Sequence, residues 1–193
     1  MAHIDIIAES DARGELAVLY KRYGNPDGAV DNVLKVHSLN PASLAAHCAL
    51  YVQACHAPGP VSRAEREIVG VVVSRLNGCD YCREHHAAGL RRLLPEDRRL
   101  IADMLARGDE ADAPLSERER AIVVYASKLT RSPAAITRAD TGAMRAAGLT
   151  DREILDTAQV AAYFAYANRI VLGLGAELGV GEGGAGEWPA DST

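Results

Sequence analysis

Cys79 and Cys82 are the residues of this 193-residue chain with the clearest capacity for chemistry. Their spacing places both sulfurs on one face of a helix, one turn apart, close enough to bridge reversibly. Asn77-Gly78 ends the preceding helical stretch, so Cys79 is expected in the first turn of the next one. Free backbone N–H groups and the positive end of the helix dipole stabilise a thiolate there. The thiolate is the attacking form, and a thiol of ordinary pKa near ~8.5 is only slightly ionised at neutral pH. Some neighbour must shift it.

His86 follows Cys82 by four residues and Cys79 by seven, so the three side chains form one stripe. An imidazole there can take the Cys82 proton or hold the sulfur as an ion pair. His85, three residues after Cys82, competes for that role from the other side, with poorer alignment to both sulfurs. Glu67 supplies a carboxylate on the helix that runs into the Asn77-Gly78 turn and must fold back alongside the cysteines. It precedes the run Ile68-Val69-Gly70-Val71-Val72-Val73. Two readings of Glu67 stand side by side. It is a buried carboxyl with a raised pKa suited to proton transfer, or a first-turn acid favouring its own helix dipole.

The elements that must position these groups are helices. Alanine and leucine abound, no segment alternates apolar and polar residues, and Gly and Pro punctuate the chain. The pattern predicts helices near 14–22, 29–38, 42–56, 62–76, 79–93, 96–107, 116–130, 134–146 and 151–179, the last with a break near Tyr166. Ser62…Glu65, Ser116…Glu119 and Thr150…Glu153 each fit the capping box that opens a helix. A shift of 88 residues lays Ser62 on Thr150 and Glu65 on Glu153, while Cys79, Cys82, His86 and Glu67 fall on apolar residues. Two degenerate helical repeats are therefore expected, one working and one packing. They form one helical domain over 1–180, with a CxxC-bearing half at about 40–110, a pseudo-repeat half at about 114–180, and a flexible tail at 181–193 containing Trp188.

Composition narrows the class. Hydrophobic residues at 48% and charged residues at 24% suit an ordinary globular protein. A net charge of −5 argues against a nucleic-acid surface, and Arg91, Arg92, Arg98 and Arg99 have acidic residues among them. No stretch approaches the ~20 apolar residues of a membrane span, and Met1-Ala2-His3-Ile4-Asp5 does not open a signal peptide. The expected compartment is cytoplasmic, where four cysteines read as core thiols, metal ligands or redox groups rather than staples.

Glu67, eleven intervening residues, then Cys79-x-x-Cys82-x-x-x-His86 resembles the signature of the AhpD-like alkylhydroperoxidases, within the carboxymuconolactone decarboxylase-like superfamily. The Cys-x-Tyr-Cys form with a following His-His is similar to the peroxidase-related branch. The resemblance implies an all-α, AhpD-like fold, a homo-oligomer (trimer or hexamer), and catalysis without cofactor or metal. It implies that Cys82 attacks a hydroperoxide and passes through sulfenic acid, that Cys79 resolves it as a disulfide, and that His86 and Glu67 relay protons. A dithiol or redox-protein reductant would recycle the pair. Tyr81 stands where some members carry a histidine, and a phenol is a poor base at neutral pH, though it can donate a hydrogen bond.

Two other functions use the same residues. A disulfide reductase serving a separate peroxidase needs the same dithiol. A structural zinc site would take Cys79, Cys82 and His85 or His86, with Cys48 or Cys55 as fourth ligand, but no second CxxC or HxxxH accompanies them. Cys48 and Cys55 lie too far apart along one helix to bridge, and read as core thiols. His3 and His37 have no evident partner. Asn168-Arg169 either fixes the last helix by polar contacts or lines a subunit interface.

Overall fold

A computed structural model describes residues 2–179, and no strand occurs among them. In chain order the helices are α1 (Gly14–Tyr23), α2 (Asn32–Lys35), α3 (Pro41–Tyr51), α4 (Arg63–Leu76) and α5 (Asp80–Leu93). They are followed by α6 (Leu100–Arg107), α7 (Glu117–Arg131), α8 (Arg138–Ala146) and α9 (Asp151–Leu174). The all-α fold class read from the sequence is correct. No helix among the described residues is long and apolar enough to cross a membrane. The expected tail at 181–193, with Trp188, lies outside the described residues.

α4 organises the rest. Every residue from Glu65 to Ser74 is buried. Valine loses rotamer freedom in a helix, so Val71-Val72-Val73 is helical because neighbours cover it on all sides, not through propensity. α5, α6, α7 and α9 supply that cover. One apolar cluster joins Val69 and Val73 to Ile122, Met144 and Phe164, and a second joins Ile68 and Val72 to Leu90, Ile101 and Leu105.

The three capping boxes form as read. Ser62, Ser116 and Thr150 each accept from the N3 backbone amide, while Glu65, Glu119 and Glu153 return the bond to the cap amide. A box of this kind typically contributes about 1 kcal/mol to helix stability. Arg118 ties two of them together, donating to Glu65 Oε1 at 2.5 Å and to Glu153 Oε1 at 2.7 Å.

Three expectations need correction. The helix predicted at 29–38 shrinks to one turn, Asn32–Lys35. The helix predicted at 134–146 begins as a 3-10 turn, Pro133–Ala135, and becomes α-helical only at Arg138. α9 does not break near Tyr166. It runs uninterrupted to Leu174 and stops at Gly175, whose φ of 67° closes the helix in the left-handed conformation. No proline or interposed residue near Tyr166 would have broken its hydrogen-bond ladder.

Candidate active site

The turn between α4 and α5 places the cysteines. Asn77 caps α4, Gly78 takes φ 69°, and Cys79 becomes the N-cap of α5. A side chain at Gly78 would strain that turn. Cys79 is thus one position outside the helix, and Cys82 stands at N3. Both are free and buried, at 0% and 4% exposure.

The two sulfurs form an interacting pair. The Cys79 thiol is lowered to about 7, first by its hydrogen bond with the Cys82 thiol, against desolvation, with help from the Cys82 backbone N–H and the Asn168 side chain. The Cys82 thiol is pushed up, by that same Cys79 bond and by burial. One S–H donates to one S⁻, so the pair gives up its first proton easily and its second with difficulty. Above about pH 7 the pair therefore carries one negative charge.

Glu67 reaches this region from α4. Its Oε2 accepts a 2.6 Å hydrogen bond from Nδ1 of His86, and both residues are buried. Arg63 Nη2 lies 3.9 Å from the other oxygen. α5 can approach so closely because residue 89 is glycine: a Cβ there would lie 3.3 Å from the Glu67 carboxyl carbon. Burial raises the Glu67 pKa, but His86 (by charge and by hydrogen bond), Arg63 and His85 outweigh it and hold the carboxyl below its ordinary value. Of the two readings of Glu67, burial is observed, but without the raised pKa attached to it. The group is an ionised carboxylate that orients an imidazole.

His85 takes a different part from its neighbour. Among the described residues it pairs with no carboxylate, its Nδ1 is buried without a hydrogen-bond partner, and burial lowers its pKa to about 4. Of the two histidines, His86 is the one with the carboxylate. The Tyr81 hydroxyl accepts from the Val33 backbone N–H at 3.4 Å.

Cys82, His85, His86 and Tyr81 line one small cavity with Asp31, Val33, Leu34, His47, Tyr51, Tyr163, Phe164 and Ala167. Cys79 is not among its walls. The cavity holds about 30 Å³, where a single water needs at least about 10–15 Å³ on that measure. Among the described residues no hydrogen bond joins His86 to Cys82 directly, so a molecule in their shared cavity is what can link them. No group of three His, Cys, Asp or Glu side chains among the described residues is placed to hold a metal ion.

Sequence reasoning missed two contributors. Asn168 is fully buried, its Oδ1 accepting from Asn77 Nδ2 at 2.9 Å and its Nδ2 donating to Ser74 Oγ at 3.1 Å, which answers the question about it in favour of polar contacts within the chain. His47 lines the cavity with its Nδ1 unpartnered, and burial lowers its pKa to about 3. His37 has partners after all: its Nδ1 bonds the Val33 carbonyl at 3.0 Å and its Nε2 the Tyr166 hydroxyl at 3.3 Å. Cys48 and Cys55 are buried in separate apolar clusters, and burial pushes the Cys48 thiol up to about 12.

The carboxymuconolactone decarboxylase family model matches residues 42–102. A peroxidase-related protein of uncharacterized activity from Silicibacter sp. TM1040 is 34% identical, with 81% of each chain covered and a TM-score of 0.75. A second such protein, from Ralstonia eutropha JMP134 and described as an alkylhydroperoxidase AhpD core, is 26% identical, with 97% of each chain covered and a TM-score of 0.85. The debrominase Bmp8 shares the fold at 18% identity, with 91% of each chain covered and a TM-score of 0.71. No curated protein matches the sequence. With this helical arrangement, a family-model match across the cysteine turn and a relative at 34% identity, the chain belongs to the AhpD-like group of the carboxymuconolactone decarboxylase superfamily.

Proposed function

We propose that the chain is a thiol-dependent peroxidase that reduces small hydroperoxides at Cys82. The observation that carries this reading is that Cys82 opens on a cavity shared with His86, an imidazole aligned by a buried, ionised Glu67.

Glu67 can only accept, so the proton of the Glu67–His86 bond belongs to Nδ1, and Nε2 is free to exchange a proton within the site. A proton shift along the S–H···S bond moves the charge of the pair from Cys79 to Cys82. Cys82 is the sulfur a peroxide can reach, since Cys79 is fully buried and outside the cavity. The Cys82 thiolate attacks the terminal peroxide oxygen and the O–O bond breaks. The leaving alkoxide or hydroxide takes a proton from the His86 side and departs as alcohol or water. Cys82 is left as sulfenic acid. Cys79, a thiol since the proton shift, gives its proton to the departing hydroxyl as its sulfur attacks the Cys82 sulfur; the S–O bond breaks and water leaves as the disulfide closes. A dithiol donor reopens it through a mixed disulfide. The cavity's size favours hydrogen peroxide or a compact alkyl hydroperoxide over a bulky one.

The test is stopped-flow oxidation of the reduced protein by hydrogen peroxide, followed by peptide mapping. A Cys79–Cys82 disulfide and steady turnover with dithiothreitol are expected. Wild-type protein that peroxide leaves reduced, yet that reduces a model disulfide, would replace this reading with that of a disulfide reductase.

A further inference from the structure

His47 lies in α3, a helix that carries neither the paired cysteines nor the Glu67–His86 pair. It is 3% exposed and forms part of the wall of the cavity on which Cys82 opens. Its ring is packed among other rings: that of His37 lies 4.5 Å away, and those of Tyr163 and Tyr166 each lie 5.8 Å away. His37 is itself fixed at both nitrogens, by the Val33 carbonyl and the Tyr166 hydroxyl. Among these held neighbours, His47 Nδ1 is buried without a hydrogen-bond partner. Buried polar atoms nearly always have partners, and one that finds none in the protein calls for water or a ligand. The cavity is where that molecule has room. His85 also presents an unpartnered Nδ1 beside this cavity, but its side chain is partly exposed, whereas His47 is closed off.

A hydroperoxide poses a problem of orientation that the Glu67–His86 pair does not solve. Its two oxygens have different fates: one is attacked by sulfur and the other leaves. The attacked, terminal oxygen carries an O–H, and it keeps that proton as it becomes the hydroxyl of the sulfenic acid. An acceptor for this O–H can hold the terminal oxygen against sulfur without gaining or losing a proton. Burial keeps the His47 imidazole neutral at neutral pH, so one of its nitrogens accepts, and its tautomer follows what that nitrogen meets. Other polar groups on the wall are already committed: the Tyr81 hydroxyl to the Val33 N–H, and Asp31 Oδ1 to Asn25 Nδ2 at 3.1 Å. We propose that His47 is a substrate-binding residue whose Nδ1 accepts from the terminal O–H of the hydroperoxide and so fixes which oxygen faces Cys82. The S–O bond forms at that oxygen and the O–O bond breaks. The electron pair leaves with the second oxygen, which takes its proton from the His86 side. This role rests on the peroxidase reading and adds to it the group that orients the substrate.

The test compares two reagents for the same sulfur. Reduced protein is mixed with hydrogen peroxide in a stopped-flow instrument and, separately, alkylated with iodoacetamide at the same pH, with the modified cysteine mapped. Iodoacetamide has no O–H to be held, so it reports thiol ionisation and access alone. His47→Phe keeps a ring and removes both nitrogens. It should slow peroxide oxidation by about tenfold, the scale of one hydrogen bond, while alkylation of Cys82 stays within about twofold of the parent. His47→Asn sets a polar atom at the position of Nδ1 and should recover most of the peroxide rate. His47→Gln carries its amide one bond further out and should remain slow, and it replaces His47→Phe in the comparison if that variant fails to fold. A folded His47→Phe or His47→Gln variant with the parental peroxide rate overturns the proposal, as does a fall in which peroxide oxidation and alkylation slow together. Parent protein that iodoacetamide alkylates but peroxide leaves reduced sinks the peroxidase reading and this role with it; a peroxide-reactive parent with an indifferent His47 sinks this role alone.

Discussion

The Glu67 carboxylate and the His86 imidazole meet at 2.6 Å across the α4–α5 interface, in a position that α5 leaves open by carrying glycine at residue 89. The ionised carboxylate fixes the tautomer: Nδ1 holds the proton and Nε2 is the working nitrogen. Glu67→Gln keeps the shape and removes the charge. A glutamine can turn its amide toward Nδ1 and stabilise the opposite tautomer. Peroxide oxidation of Cys82 should slow by about 100-fold, in the range of lost acid–base assistance, while the thermal midpoint changes little. Stopped-flow rates of the reduced variant check this. A rate within about twofold of the parent would remove the pair from the mechanism.

The shared charge of the cysteines gives a pH dependence with a defined sign. The Cys79 thiol, lowered to about 7 chiefly by the Cys82 thiol, is neutral below that pH and charged above it. Alkylation and peroxide oxidation should therefore rise through about pH 7 and level off, with one proton released per pair. In Cys82→Ser a hydroxyl takes the place of the thiol partner, peroxide turnover should be abolished, and Cys79 should titrate closer to an ordinary thiol. In Cys79→Ser, Cys82 keeps the cavity position and should accumulate as sulfenic acid trapped by dimedone. Trapping at residue 79 in a Cys82→Ser variant, with turnover intact, would reverse the two roles.

Much of this site could be read from local sequence, and the reasons are physical. The cysteines, His86 and Glu67 are linked by helix geometry and one tight turn, so short-range spacing places them. The capping boxes are legible because their donors and acceptors lie three residues apart. The contacts of Asn168 were not legible, because its partners Ser74 and Asn77 reach it only through packing of α9 on α4. A signal existed: a lone amide between Ala167 and Ile170-Val171 in a helix interior has to find hydrogen-bond partners. Glu67 illustrates the opposite difficulty. Burial was foreseeable from the apolar run after it, but the sign of its pKa shift depends on His86, Arg63 and His85 converging on it, which spacing does not reveal.

Tyr81 stands between the cysteines, and its hydroxyl accepts from the Val33 N–H at 3.4 Å. Val33 and Leu34, at the α2 turn, line the cavity, and Val33 and Val36 pack against the cluster of Cys79, Tyr81 and Cys82. Tyr81→Phe removes this acceptor and leaves the ring in place. The cost to stability should be small, about 0.5–1.5 kcal/mol. Exchange of the Val33 amide should quicken, and a bulky aromatic disulfide reagent should reach Cys82 several-fold faster, while hydrogen peroxide, small enough for the closed cavity, reacts at the parental rate. An unchanged rate with the bulky reagent would mean that the α2 turn does not limit access.

Arg118 joins the entrances of α4 and α9 by holding Glu65 and Glu153 at once. Glu153 is lowered from 4.5 to about 2, first by the Thr150 backbone N–H and then by Arg118. A carboxyl depressed in the folded state stabilises the fold above its unfolded pKa, and that contribution fades as pH falls through the folded value. The window is therefore from about 4.5 down to about 2. Arg118→Ala leaves two largely buried capping-box carboxylates without their cation, which should cost about 1–3 kcal/mol at neutral pH. Because Glu153 then titrates nearer its ordinary value, the acid-unfolding midpoint should move to higher pH. Circular dichroism followed from pH 7 to 2 measures both effects. Arg118→Lys restores the charge but cannot span both acids with a planar fork, so it should recover only part of the loss. An Arg118→Ala variant with the parental acid midpoint would show that the cap hydrogen bonds alone hold Glu153 ionised.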